Sequence, residues 1–258
     1  MAELREEQRG ASRWLVLDRP AQRNALSAQL LAGLREALAR ADSDAAARAV
    51  CITGSGDRAF CSGMDLVSAG AGLHQGGLQA VPGAFAALLA EMSRMGKPIV
   101  ACVNGAVMAG GLGLLAACDL AVAADDASFG APEVDVGLFP YMAMAPLSRV
   151  IGRRAALEMV FTARKLDAEE ALRIGLVNRV VPRAELAGAT QALLDTLAQK
   201  SPTALRMGRR AVYATQDLPY EEQLEKLRAQ LVENFSTEDA IEGISAFLQK
   251  RKPDFKGR

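Results

Sequence analysis

A chain of 258 residues, half of them apolar, is long enough for one large hydrophobic core, with or without an appended helical piece. Lysine plus arginine balance aspartate plus glutamate at 30 each, so no net field draws the chain to nucleic acid or an anionic membrane. Met1 to Gly10 is charged and of mixed sign, and no apolar run approaches the roughly 18 residues of a membrane span, so a cytoplasmic location is expected.

Short apolar runs bounded by Gly, Pro, Asp or Asn read as strands at Trp14 to Asp18, Ala49 to Thr53, Ile99 to Asn104 and Leu120 to Ala123. Between the first two lies a helix opened by Ser27, with Leu30, Leu31, Leu34 and Leu38 on one face. Pro82 to Met95 reads as a second helix, stopped by Gly96 and Pro98, and the run from Ser68 to Gly83, rich in Gly and Ala, as a loop. This alternation predicts an α/β fold with covered sheets. Beyond about Pro146 the pattern turns helical. Asp167 is placed to cap a helix with Glu170 at its third position, Gly175 to end it, and Leu176 to Val181 to form a further strand. Helices are predicted at Ala184 to Gln199, Pro202 to Thr215, Tyr220 to Asn234, with Leu224, Leu227 and Leu231 as its stripe, and Glu238 to Gln249. The organisation expected is a core over residues 1–200 and a helical region over 201–258.

The residue types limit the chemistry. His74 is the only histidine, so a Ser–His–Asp triad or a multi-histidine zinc centre would rest on it alone; no metal is expected. Cys51, Cys61, Cys102 and Cys118 form no C-x-x-C pair and read as buried free thiols. Three segments stand out: Ala59 to Leu66 (AFCSGMDL), Asn104 to Asp119 (NGAVMAGGLGLLAACD) and Phe129 to Tyr141 (FGAPEVDVGLFPY). Within the second, Gly111 to Ala116 matches the G-x-G-x-x-A of dinucleotide folds, with Glu133 and Asp135 downstream, although Gly105 to Gly110 separate it from the strand. The same glycines at a helix start suit an oxyanion hole, in which backbone N–H groups and the helix dipole stabilise a developing negative charge. They would equally let a buried helix pack closely.

Together the three segments resemble the enoyl-CoA hydratase/isomerase (crotonase) family, in order and separation. Leu17 to Pro20 (LDRP), Asn24 to Leu26, Thr162 to Asn178 and Ala246 to Pro253 add to a likeness that runs from about Trp14 to Phe255. The resemblance implies a spiral of ββα units with a C-terminal helical region that mediates trimers, often stacked as hexamers, and an acyl-CoA thioester as substrate, with no cofactor beyond the coenzyme A of that substrate. It implies that the N–H groups of Met64 and Gly110 form the oxyanion hole, and that Cys61, Ser62 and Gly63 line the coenzyme A path. Arg23 is a candidate for its phosphates. Asp65 is the family's structural aspartate, and Glu133 the catalytic acid–base.

Family hydratases commonly carry a second glutamate three residues after the oxyanion glycine. Here that position is Gly113. One carboxylate suffices to move a proton from carbon 2 to carbon 4, which is the expectation for an enoyl-CoA isomerase; a hydratase or hydratase-lyase using Glu133 alone stays open, and a non-catalytic acyl-CoA binder is the distant alternative. Asp135 would point the same way as Glu133 if that stretch were extended. Tyr141 stands where dienoyl-CoA isomerases and dehalogenases place an aspartate, and serves as a pocket wall or a hydroxyl partner. Phe139, Met142 and Met144 offer apolar surface for an acyl group.

Overall fold

A computed structural model describes residues 3–65 and 80–258; His74 and most of the Gly- and Ala-rich run lie outside the described residues. Strands β1 (Leu4–Arg9) and β2 (Ser12–Leu17) make an antiparallel hairpin that turns through Gly10 at a φ of 55°. Helix α1 (Ala28–Ser43) starts at Ser27, whose hydroxyl accepts from the Leu30 N–H, and buries the four leucines its spacing marked.

From there the chain repeats one step. Strand β3 (Ala49–Gly54), β5 (Ile99–Val103) and β7 (Leu120–Ala124) lie parallel in a six-stranded sheet of order β1-β2-β3-β5-β7-β10, with β10 at Arg179–Val181. Each of the three is followed by a short strand of a second sheet: β4 (Ala59–Cys61), β6 (Ala106–Met108) and β8 (Ser128–Gly130), joined at its edge by β9 (Leu166–Asp167). Helix α2 (Ala80–Arg94) completes the first step and α3 (Gly110–Ala116) the second. The expected spiral of strand–strand–helix units is what forms.

Both faces of the large sheet are covered, which is why β3 and β5 are buried at every position. One face carries Leu15, Leu17, Val50 and Ile52 against α1 and α2; the other carries Trp14, Cys51, Val100 and Cys102 against helix α7 (Leu186–Ala198). All four cysteines are free and buried.

The remaining helices are α4 (Tyr141–Val150), α5 (Gly152–Thr162), α6 (Ala168–Arg173), α8 (Pro202–Thr215), α9 (Tyr220–Phe235) and α10 (Glu238–Leu248). Asp167 caps α6 by accepting from the Glu170 N–H at 2.8 Å. The strand expected from Leu176 is shorter than predicted. The N–H groups of Leu176 and Val177 return to the Ala171 carbonyl, so these two buried residues plug the helix end and only Arg179–Val181 pairs with β7. The α9 stripe also departs from expectation: Leu224 and Leu231 are about half exposed rather than packed. No described helix is long and apolar enough to cross a membrane.

Helix α8 is tied to the core through Asp119, at the head of β7. Its carboxylate accepts from Arg209 Nε at 2.8 Å, from Tyr213 Oη at 3.0 Å and from the Ile99 N–H at 2.7 Å, while Arg209 also donates to the Met92 and Met95 carbonyls. With the Arg209 side chain only 6% exposed, Arg209→Met strands a half-shielded carboxylate and two carbonyls, and should cost about 3 kcal/mol in a urea unfolding titration.

Candidate active site

The three segments singled out in the sequence leave the ends of three adjacent parallel strands. Residues 62–65 follow β4, Ala109 to Gly113 follow β6, and Ala131 to Leu138 follow β8. Strand β6 pairs with β4 through Ala59–Ala106 and with β8 through Met108–Gly130, so stretches remote in sequence become neighbours. The ends of parallel strands are where open α/β architectures place their sites.

Backbone meets backbone between the first two segments. Gly63 has a φ of 92°, and a Cβ on it would stand 2.7 Å from the Ala109 Cβ and 2.9 Å from the Gly110 nitrogen. Only glycine fits. A Cβ on Gly110 would lie 3.6 Å from the Met64 nitrogen, so the two amides are close together. The bridge between Leu26 and Met64 uses the Gly63 carbonyl and the Asp65 N–H, not the Met64 N–H. Gly110, first in α3, has no intrahelical acceptor. Among the described residues neither amide donates a hydrogen bond. Between them Ala109 is held at φ 55°, ψ −128°, a strained conformation for an L-residue that costs on the order of 1–3 kcal/mol and is pinned by its N–H to the Gly130 carbonyl at 2.9 Å. No sequence signal marks an alanine for this role. Gly111 and Gly113 lie inside α3, so the dinucleotide turn considered above does not form.

Glu133 sits in a 3-10 turn, Pro132–Val136, opened by a proline and closed by Gly137 in the left-handed region. With three residues per turn, Asp135 does not share the direction of Glu133, as it would in an extended stretch, and it is exposed. Glu133 is half-buried, and its Oε2 is buried with no hydrogen-bond partner. Burial raises its carboxyl above the ordinary glutamate range, partly offset by its own backbone N–H. The other described carboxylates with a resolved shift, Asp44, Glu91, Glu170, Glu225, Asp239 and Glu242, all move down. An unpartnered buried carboxyl is a cost that folding alone gives no reason to keep, and marks a candidate site.

Gly113 is packed shut. A Cβ there would be 2.9 Å from the Ala143 Cα and 3.1 Å from the Phe85 ring, because α4 and α2 close directly on α3. Tyr141 begins α4, 76% exposed, its ring 5.0 Å from that of Phe139. Arg23, exposed at φ 52°, lines a cleft of about 240 Å³ with Pro20, Ala21, Asn24 and Gly56. The Ser62 N–H donates to the Arg23 carbonyl, tying that cleft to the first segment. Cys61 is placed differently from a path-lining residue: its side chain is fully buried in the core, and burial pushes its thiol up to about 12. Asn24, fully buried, accepts from the Arg19 N–H and donates to the Ser55 and Ala59 carbonyls, a structural role its motif position did not announce. A larger cavity, about 590 Å³, lies between α2, α4 and α8; Met142 lines it, and Glu133, Met64 and Gly110 do not.

The sequence profile of the enoyl-CoA hydratase/isomerase family matches residues 12–258. The chain belongs to this family. It is similar to the carnitinyl-CoA dehydratase of Proteus mirabilis (strain HI4320), 35% identical over 255 residues and 97% of each chain. To that of Escherichia coli (strain SMS-3-5 / SECEC) it is 37% identical, covering 95% of this chain and 94% of the other. Among solved structures, the enoyl-CoA hydratase of Bacillus anthracis superposes with a TM-score of 0.94 at 29% identity, covering 99% of this chain and 100% of that one. The Mycobacterium smegmatis enoyl-CoA hydratase superposes with 0.93 at 34% identity, covering 98% of each. The crotonase fold is thereby established, and the chain is an enzyme-family member with a CoA-related function.

For this enoyl-CoA hydratase/isomerase family member, the raised Glu133 carboxyl makes a signed prediction. If its anion is the base, kcat/KM falls as pH drops through a value above the ordinary glutamate pKa of about 4.3. The fold holds the Glu133 proton more tightly than the unfolded chain does, so Glu133 contributes stability that is lost as pH rises through the raised pKa. Glu133→Gln should raise the melting temperature at neutral pH, and an unchanged or lower one contradicts the assignment.

Proposed function

We propose that this chain is an enoyl-CoA isomerase in which Glu133 moves a proton between carbons 2 and 4 of an acyl-CoA thioester. The observation that carries this reading is the half-buried Glu133 carboxyl with one unpartnered oxygen, taken with a Gly113 position that no side chain can occupy. The thioester oxygen accepts from the Met64 and Gly110 N–H groups at roughly 2.7–3.1 Å each, which stabilises the enolate formed when carbon 2 loses its proton. The same carboxyl, now protonated, returns that proton at carbon 4, and no atom is gained or lost. A raised pKa suits both halves. Coenzyme A passes Ser62 and Gly63, with Arg23 toward its phosphates; Tyr141 walls the mouth, and Phe139 and Met142 meet the acyl group.

One observation favours a second reading. The relatives compared above are named dehydratases. Glu133 alone would then take the proton from carbon 2 and pass it to the hydroxyl leaving carbon 3, releasing water. Converting Gly113 to Glu is no route to a two-carboxylate hydratase, because Ala143 and Phe85 fill the space. A non-catalytic binder is disfavoured by the unpartnered carboxyl. Leu224, Leu231, Phe235, Ile241, Phe247 and Leu248, all exposed on α9 and α10, support a homotrimer or hexamer that covers them, and the reaction belongs to a cytoplasmic acyl-CoA pathway.

Incubation with 3-enoyl-, 2-enoyl- and 3-hydroxyacyl-CoA tests the proposal. The isomerase converts 3-enoyl to 2-enoyl at constant mass; Glu133→Gln lowers the rate about 10²–10⁴-fold, Gly110→Pro abolishes it, and Met64→Leu retains it. A change of one water from the 3-hydroxyacyl or 2-enoyl substrate, with 3-enoyl-CoA untouched, replaces the isomerase by the dehydratase. No turnover of any of the three contradicts both.

A further inference from the structure

We infer that Arg19 is a positioning residue for the oxyanion hole, acting through an ion pair with Asp65; the inference rests on the assignment of the Met64 N–H as an oxyanion donor. Met64 is held in the fold by little. A single bridge joins it to Leu26, formed by the Leu26 N–H to the Gly63 carbonyl at 2.7 Å and the Asp65 N–H to the Leu26 carbonyl at 3.1 Å. Two hydrogen bonds leave a segment free to pivot, and a donor that pivots loses most of its value, since oxyanion stabilisation depends on preorganisation.

Arg19 spans this bridge. Its Nη1 donates to the Ala25 carbonyl at 2.6 Å, one residue before Leu26, and its Nη2 to Asp65 Oδ2 at 2.8 Å, one residue after Met64. One planar guanidinium therefore grips both strands of the bridge, next to the donor on one side and next to its partner on the other. Its Nε pairs with Glu3 at 3.0 Å, and Glu3 in turn receives the hydroxyl of Ser27, the cap of α1. The Arg19 N–H donates to Asn24 Oδ1 at 3.0 Å, so the backbone that carries the guanidinium is itself fixed. The side chains of Arg19 and Asp65 are 11% and 10% exposed, shielding the pair from the water and salt that make surface ion pairs weak. A fixed fork is what distinguishes arginine here: lysine could keep the charge but not reach two acceptors in one plane.

A merely structural ion pair and a positioning one differ in what they move. Loss of positioning weakens an interaction that is strongest in the transition state, so kcat falls while KM stays nearly constant. It also weakens polarisation of the bound thioester carbonyl, which shifts the absorption of a conjugated aryl-acryloyl-CoA to longer wavelength. The test compares wild type, Arg19→Lys, Arg19→Met and Asp65→Asn in three measurements: the wavelength shift of that bound probe, kcat and KM on the substrate the enzyme turns over, and the melting temperature. The expected result is a smaller shift and a kcat lowered roughly 10–100-fold in Arg19→Met and Asp65→Asn, KM within about threefold, and Arg19→Lys between these and wild type. If Arg19→Met does not fold, Arg19→Lys and Asp65→Asn decide the matter. A full wavelength shift and unchanged kcat in folded variants overturn the inference and leave the oxyanion hole standing. No shift in the wild-type complex overturns the oxyanion assignment itself.

Discussion

The site depends on how closely two stretches of backbone approach one another. Gly63 abuts Ala109 and Gly110 at distances that exclude any Cβ, and this contact brings the Met64 and Gly110 amides together. The rest of the architecture serves that approach. Parallel pairing of β4 with β6 fixes the height of the two segments, the Leu26 bridge holds one and the Ala109–Gly130 hydrogen bond holds the other. The strain in Ala109 is sustained because β6 and α3 determine the chain on both sides of it. An oxyanion hole made of amides cannot be altered by exchanging side chains, so variation in chemistry has to come from what surrounds it.

Here the surroundings have been narrowed. Where α3 could present a second carboxylate, α4 packs Ala143 against Gly113 and α2 adds Phe85. What remains is a single carboxyl, half-buried on a 3-10 turn and without a partner on one oxygen. Desolvation makes such a group a weaker acid, and a weaker acid near neutrality is a base that can release its proton again. Isomerisation and single-residue dehydration share this first event, removal of a proton from carbon 2. They differ only in where the proton goes next, which substrate positioning decides.

The parts of the fold that were legible in the sequence are those with a period or a cap. Helix α1 announced itself through Ser27 and its leucines, and α6 through Asp167. Strands β3 and β5 were visible as unbroken apolar runs. Strand β1 was not, because Leu4–Arg9 is an exposed, charged edge whose pairing comes from the hairpin to β2. Strands β4, β6 and β8 have three residues each, too few to show alternation, yet they are what gathers the site. Glu133 was legible from its motif, as were the glycines; Ala109 and the Arg19–Asp65 pairing were not, since neither a backbone angle nor a contact across the chain leaves a local pattern. The exposed stripes of α9 and α10 show the reverse limit: periodicity revealed apolar faces but not what covers them.

The most direct measurement of the central claim removes the question of where the proton goes. A saturated acyl-CoA has no double bond to shift and no hydroxyl to lose, so its only reaction with Glu133 is exchange at carbon 2. Incubated in D₂O and followed by mass spectrometry and proton NMR, it should gain deuterium at carbon 2 with the wild-type enzyme and not above the uncatalysed rate with Glu133→Gln. Exchange that persists in Glu133→Gln, or is absent from the wild type, would contradict the assignment of Glu133 as the group that moves this proton.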